Sequence, residues 1–146
     1  MTYPRNAESC LRYDYDFAVD GGAVGAISLS SNLNRLVEGL IVKEIMLVVK
    51  TAVTSGGTPT ITLGNTADPD GYMADIFSFV GSAPAVVNSG SVAGDLIWDD
   101  TNDHAIHYRI SSATNTQDLV LTVGTAALTA GKFEIYLKCQ ADVSDV

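Results

Sequence analysis

The stretch TAVTSGGTPTITLG, residues 51–64, places a short loop of small residues, Ser55-Gly56-Gly57, between two segments rich in Val, Thr, Ile and Leu. A glycine-rich loop that holds a phosphate would indicate an enzyme, whereas the tip of a β-hairpin would indicate a structural β domain. A Walker-type phosphate loop requires a Lys followed by Ser or Thr after its last glycine, and then a helix. Here Gly57 is followed by Thr58-Pro59 and a strand-like segment. We therefore predict a hairpin in which the two glycines supply positive φ angles at the turn.

Alternation of apolar and polar residues with period two dominates the chain on both sides of this loop. The segment RYDYDFAVD alternates apolar and polar positions as far as Val19, which predicts a half-buried strand. Near the C-terminus the same pattern predicts a strand with Phe133, Ile135, Leu137 and Cys139 on one face. The segment 40–53, LIVKEIMLVVKTAV, is apolar almost throughout, which is typical of a strand covered on both faces.

Helical spacing is rare in this sequence. Met73, Ile76, Phe77 and Val80 have the spacing of one short helix, with Asp70 near its N-cap. The sequence therefore predicts an all-β protein: an antiparallel β-sandwich, jelly-roll-like, with seven or eight strands and at most one or two short helical turns. No repeat or linker divides the chain, so we predict one domain over residues 1–146, in which residues 1–11 form an N-terminal arm.

Composition restricts the classes of partner. The chain has 146 residues and carries 17 acidic against 8 basic residues, a formal net charge of −9. Such a balance opposes binding to nucleic acid or to an anionic membrane surface, and no apolar run has the roughly 20 residues that span a bilayer. The first residues lack the apolar core of a secretory signal, so we expect synthesis in the cytoplasm. In that reducing compartment Cys10 and Cys139 are expected as free thiols rather than a bridge.

No pattern of catalytic residues emerges, and we expect a protein that is not an enzyme and has no cofactor. The G-x-S-x-G motif of esterases is absent, and neither cysteine lies in the sequence context of a reactive thiol. The weak candidates for a metal site are Asp68 and Asp70 in NTADPDG, which looks like part of a calcium loop. The glutamate that a complete EF-hand loop needs at its twelfth position is missing. An Asx turn is the alternative interpretation of these residues.

Three segments carry a resemblance to a known family. They are GGAVGAISL, the loop stretch TAVTSGGTPTITLG with the acidic turns after it, and LTAGKFEIYL near the C-terminus. In this order they resemble small virion proteins of tailed phages, of the capsid decoration (cement) or head-associated type. The resemblance spans residues 21–139 and rests on turns and strands, so it is more specific for the family than for any one role.

The resemblance implies a non-enzymatic decoration protein on the capsid surface of the virion. Such a protein binds the outer surface of the assembled shell across capsomer boundaries and stabilises it. The implied partners are the major capsid protein and further copies of the chain, with a trimer favoured, and include neither nucleic acid nor membrane. The nearest alternative is a tail, neck or head-fibre subunit, and from another class a calcium-assisted carbohydrate-binding β-sandwich module.

Candidate contact residues follow from that role. Tyr3, Pro4 and Arg5 precede the first strand and form a candidate docking arm, and Tyr13 is a further candidate contact with the capsid or with another copy. A disordered tail is the alternative for the arm.

Overall fold

The computed structural model describes residues 8–29, 36–88, 94, 96–99, 104–111 and 118–141. Over these residues the protein consists of two antiparallel sheets packed face to face, as predicted. Seven strands are four residues or longer, and three contain two residues each. The strands are β1 (Glu8–Asp16), β2 (Gly25–Ser28), β3 (Leu40–Ser55), β4 (Thr60–Gly64), β5 (Ala85–Asn88), β6 (Trp98–Asp99), β7 (His104–Ala105), β8 (Tyr108–Arg109), β9 (Val120–Gly124) and β10 (Leu128–Ala141).

The order of the strands is that of a jelly roll. The main sheet has the order β1-β10-β3-β5, with β8 also pairing with β3, and the second sheet has the order β2-β9-β4. Consecutive long strands therefore lie in different sheets: β1 is followed by β2, β3 by β4, and β9 by β10. This crossing from sheet to sheet separates a jelly roll from a set of simple hairpins. The two-stranded pair β6-β7 lies outside both sheets.

The loop at Ser55-Gly56-Gly57 is a crossing between the sheets, and the hairpin prediction is wrong. β3 ends in the main sheet, where Ser55 pairs with Leu128, whereas β4 begins in the second sheet, where Thr60 pairs with Gly124. The positive-φ glycines of the described residues are Gly21, Gly25, Gly39 and Gly131, so neither Gly56 nor Gly57 uses the left-handed region. A loop that joins two sheets needs no tight primed turn, so its glycines need no positive φ.

Side-chain contacts fasten this loop to the neighbouring loop between β9 and β10. The hydroxyls of Thr54 and Thr129 share a hydrogen bond of 2.8 Å, and Ser55 Oγ donates to the carbonyl of Ala127 at 2.6 Å. In the other direction, Thr125 Oγ1 donates to the carbonyl of Thr58 at 2.6 Å. These hydrogen bonds thus connect the loop between β3 and β4 to the loop between β9 and β10, both of which pass from one sheet to the other.

Two short helices are present in the described residues, α1 (Phe17–Asp20) and α2 (Phe77–Val80). The strand predicted as far as Val19 ends at Asp16, because the Asp16 carboxylate accepts a hydrogen bond from Ala18 N and begins α1. Val19 is consequently 81% exposed instead of buried. The predicted cap on α2 is also wrong, since its N-cap is Ile76, and Asp75 Oδ1 accepts from Phe77 N. None of the described helices is long and apolar enough to cross a membrane.

The core lies between the sheets and contains the inward residues of every long strand of the main sheet. Phe133, Ile135, Leu137 and Cys139 of β10 are completely buried, as their alternation predicts. The rings of Phe133 and Tyr15 pack at a centroid distance of 5.1 Å. β10 is central because it pairs with β1 on one side and with β3 on the other along most of its length.

Candidate functional site

The outer face of the main sheet is the candidate functional surface. It consists of the outward residues of four neighbouring strands, and we call it the outer face. Its members are Cys10, Arg12 and Asp14 of β1, Glu134, Tyr136 and Lys138 of β10, Glu44, Met46, Val48 and Lys50 of β3, and Val86 and Asn88 of β5.

Ion pairs occupy one part of the outer face. Arg12 Nη2 lies 3.1 Å from Asp14 Oδ1 and 3.1 Å from Glu134 Oε1. Lys50 Nζ lies 3.9 Å from the same Glu134 oxygen, and the Tyr136 hydroxyl donates to Glu134 Oε2 at 2.5 Å. That hydrogen bond, together with the cations Arg12, Lys50 and Lys132, lowers the pKa of Glu134. The cations and the carboxylates balance locally, so this part of the face lacks the large negative charge of the chain as a whole.

Beside the ion pairs, the outer face is apolar and uncovered. Met46 is 36% exposed and Val86 is 68% exposed, although both lie within sheet strands. Val86 pairs in register with Val48, which is half-buried. The prediction that the run 40–53 is covered on both faces is therefore wrong for the single chain, because only its inward residues are buried. Apolar residues on a solvent-facing sheet surface are typical of a surface that contacts a partner.

A shallow groove of about 310 Å³ opens on the outer face. Its lining consists of Ser9, Cys10, Glu44, Met46, Tyr136 and Lys138. Glu44 and Lys138 are register partners on adjacent strands, and Glu44 Oε1 also accepts from Asn88 Nδ2 at 2.5 Å. The groove offers a mixed polar and apolar surface for a side chain of a partner.

The two thiols lie on opposite faces of the main sheet. Cys139 pairs with Ser9 and Cys10 pairs with Lys138, so the cysteines are on neighbouring strands but their side chains point to opposite sides. Both are free: Cys10 is exposed on the outer face and Cys139 is buried in the core. Their separation by the sheet explains why neighbouring terminal strands do not produce a disulfide.

This arrangement predicts that one thiol per chain reacts with Ellman's reagent in the folded protein. Burial, with a smaller contribution from Cys10, raises the pKa of Cys139 to about 12. At pH 8 only about one Cys139 in ten thousand is then a thiolate, the reactive form. We expect rapid modification of Cys10 and modification of Cys139 only after denaturation, and no rapid reaction in the Cys10→Ser variant. Two thiols reacting at similar rates in the native protein would contradict the assignment.

The metal candidates lie in a loop that is closed by its own hydrogen bonds. Asn65 Oδ1 accepts from Asp68 N at 2.8 Å, and the Asp68 carbonyl accepts from Asn65 N at 3.0 Å and from Gly71 N at 3.2 Å. The loop is thus closed by an Asn side chain that bonds the backbone three residues on, one residue further than in an Asx turn. Asp70 is exposed, and over the described residues no group of three or more His, Cys, Asp or Glu side chains is arranged to hold a metal ion.

The remaining candidate contacts lie elsewhere. Tyr3, Pro4 and Arg5 are outside the described residues, and β1 begins at Glu8, so residues 8–11 belong to the main sheet. Tyr13 is 2% exposed and packs in the core, where burial raises the pKa of its hydroxyl. It is thus unavailable for contact on the surface of a single chain. The sequence prediction omitted the outer-face residues Met46 and Val86, because alternation shows which residues share a face but not which face is left uncovered.

Comparison with known proteins identifies the fold. No protein-family model matches the chain, and no curated protein matches it. Among solved structures, the chain is similar to a chain in the cyanophage Pam1 capsid asymmetric unit, with a TM-score of 0.64 and 12% identity over 97% of this chain and 92% of that chain. It is also similar to a chain in the acidic stable capsid structure of Helicobacter pylori bacteriophage KHP30, with a TM-score of 0.57 and 13% identity over 95% and 91% of the two chains. At these identities the likeness shows a shared fold.

Proposed function

We propose that this chain is a non-enzymatic phage virion structural protein, a decoration protein that binds the outer surface of the assembled capsid and stabilises it across capsomer boundaries. The observation that carries the proposal is the end-to-end fold similarity to chains in two phage capsid structures. The partners we propose are the major capsid protein and further copies of this chain, with a trimer favoured. The location is the capsid surface of the virion, after synthesis in the host cytoplasm.

The size of the matched chain supports a small accessory component. The aligned 97% of this 146-residue chain makes up 92% of the Pam1 chain, so that chain is itself about 150 residues long. A compact sandwich of this size can sit on a shell as a separate unit. The net charge of −9 favours the exterior of a capsid over contact with packaged DNA, because like charges repel.

The outer face supplies the surface that we assign to the shell. Its apolar residues Met46 and Val86, on β3 and β5, are uncovered in the single chain, and the ion pair of Arg12 and Glu134 lies beside them on β1 and β10. Protein–protein interfaces usually combine apolar residues with polar residues next to them. Binding would stabilise both the shell and the bound chain, because a ligand that binds only the assembled state favours that state by mass action.

The experiment adds purified protein to expanded empty shells of the phage that encodes it. We expect co-sedimentation with the shells, a higher melting temperature of the decorated shells, and hundreds of copies per virion. Absence of binding to shells would overturn the proposal. A copy number of a dozen or fewer would instead assign the chain to the tail or neck.

A paired substitution tests the surface within the same assay. We expect the double variant Met46→Glu, Val86→Glu to bind shells at least about tenfold more weakly, because two charges would be desolvated at the centre of the contact. The control is Val37→Glu, which places one glutamate on a 53%-exposed valine that precedes β3 and does not belong to the outer face. Equal loss of binding in both variants would contradict the assignment of this face and point to general charge repulsion.

A further inference from the structure

The loops at one end of the sandwich contain few charged residues, and the nearest charges, Asp16, Lys132 and Asp75, lie at the ends of the adjoining segments. Four segments meet there: residues 17–24 between β1 and β2, 56–59 between β3 and β4, 77–84 before β5, and 125–127 between β9 and β10. The pairings at the strand ends place three of them together, with Asp16 opposite Lys132, Ser55 opposite Leu128 and Thr60 opposite Gly124. Residues 77–84 adjoin the same end because the next residue, Ala85, pairs with Val49 of β3, and Gly81 lies near the Val53 carbonyl. We call these four segments the loop end, and the structure describes all of their residues.

The sequence of the loop end departs from the composition of the chain. It contains about two dozen residues, of which Asp20 is the sole charged one. At the 17% of charged residues in the whole chain, about four would be expected. The carboxylate of Asp20 is already engaged, since its Oδ2 accepts from Asp16 N at 2.8 Å.

Large apolar side chains are exposed at the same end. Val19 is 81% exposed, Val24 is 57% exposed and Phe79 is 37% exposed. The same segments contain many small residues, including Gly56, Gly57 and Ala23, which have little side-chain entropy to lose on contact. Several large apolar side chains exposed at one end of a domain are typical of an interaction surface.

The opposite end of the sandwich carries acidic groups. Glu38 precedes β3, Asp118 precedes β9, and Asp68 and Asp70 follow β4, all at the ends of their strands away from the loop end. These four acidic residues therefore lie away from the loop end. When two copies approach each other by their loop ends, these four acidic residues of each copy stay far apart. When they approach by the opposite ends, the acidic residues of the two copies repel each other.

We infer that the loop end is a self-association surface, at which one copy of the chain binds a second copy. Its size fits this role, because a stable interface uses about 20–30 residues on each side. Its rigidity fits as well, since Ser55 Oγ to Ala127 O and Thr125 Oγ1 to Thr58 O hold two of the four loops in place. The occupant we assign is another copy, because Asp20 is the one charged residue of the four loops and the neighbouring Asp16 and Lys132 are paired with each other, so two copies of a net-acidic chain meet here with little repulsion.

The test measures self-association of the purified chain by sedimentation velocity between about 1 and 200 µM, a range that detects micromolar affinity. We expect the wild-type protein to associate within this range. The double variant Val19→Glu, Val24→Glu is expected to associate at least about tenfold more weakly, because it places two like charges on each side of the contact. The matched control Val37→Glu, on a 53%-exposed valine outside the loop end, is expected to associate like the wild type.

A crosslinking measurement keeps the inference testable if the double variant folds poorly. In a Cys10→Ser background, Val24→Cys is expected to give a covalent dimer with a short bis-maleimide, and Val37→Cys is not. A wild-type chain that stays monomeric throughout the range, or a double variant that associates like the wild type, would overturn the inference. No shell is present in these experiments, so they test self-association separately from the proposed decoration role. The chain could self-associate without binding shells, or bind shells without self-associating.

Discussion

Replacing Phe133 with alanine is expected to lower the free energy of unfolding by about 3–5 kcal/mol, the usual range for truncating a buried aromatic residue. Phe133 is completely buried, and it pairs in register with Tyr15 of β1 and Val49 of β3. Its ring also packs on Tyr15. The cavity would therefore lie on the central strand between both neighbours, where the backbone is held from two sides and cannot collapse. A domain of this size has about 5–15 kcal/mol of stability in total, so the loss removes a large fraction of it.

Urea unfolding at a concentration at which sedimentation shows only monomer measures this loss without a contribution from association. The matched control is Phe79→Ala, which removes the same ring from a position that is 37% exposed, and we expect it to cost much less. The variant Phe133→Leu retains most of the buried volume and is expected to fall between the two. A Phe133→Ala variant within about 1 kcal/mol of the wild type would contradict the central position of this side chain.

The strands of the main sheet could be predicted because their alternation is a local property. The residues Phe133, Ile135 and Leu137 are predicted to share a face, and the structure places all three in the core. The connection at Gly56-Gly57 could not be predicted in the same way. Whether β3 and β4 form a hairpin or lie in different sheets depends on β9 and β10, whose residues Gly124 and Leu128 pair with Thr60 and Ser55 from more than 60 residues further along the chain. Local turn chemistry carries no information about those distant partners.

The candidate surfaces were harder to predict than the strands, for a related reason. Alternation continues through Val19, but the carboxylate of Asp16 begins a helical turn and exposes that valine. Similarly, the apolar run of β3 indicates burial on both faces, whereas a single chain covers one of them. In both places the sequence shows an apolar residue, and only the packing of the fold shows that it faces outward. The local sequence signal of the outer face is therefore the apolar run of β3, which has more apolar residues than a strand with one solvent-facing side needs.

Gly131 occupies a strained position at the junction of the two longest strands. Its φ is +141°, which side-chain-bearing residues rarely adopt, and it lies in β10 where the register with β3 shifts between Ala130 and Lys132. A Cβ atom at this position would be 2.7 Å from Val53 Cγ2 and 2.9 Å from Val53 Cα. The second contact is with backbone, so a rotamer change of Val53 cannot relieve it. The glycine of LTAGKFEIYL thus allows β10 to pass close to β3 at a bulge.

The variant Gly131→Ala is therefore expected to lower the free energy of unfolding by about 2–5 kcal/mol, combining the cost of a disfavoured φ with that of overpacking against Val53. The matched control is Gly56→Ala in the loop stretch that joins the sheets, where a Cβ meets nothing within 4 Å and φ is not positive. That substitution is expected to be neutral or to stabilise by up to about 1 kcal/mol, since alanine restricts the unfolded chain. Urea unfolding of the two variants compares the same chemical change at both sites. Equal effects of the two substitutions would mean that the bulge between β10 and β3 does not require glycine. The expected difference would show that the close approach of β10 to β3 at Val53 requires glycine at position 131.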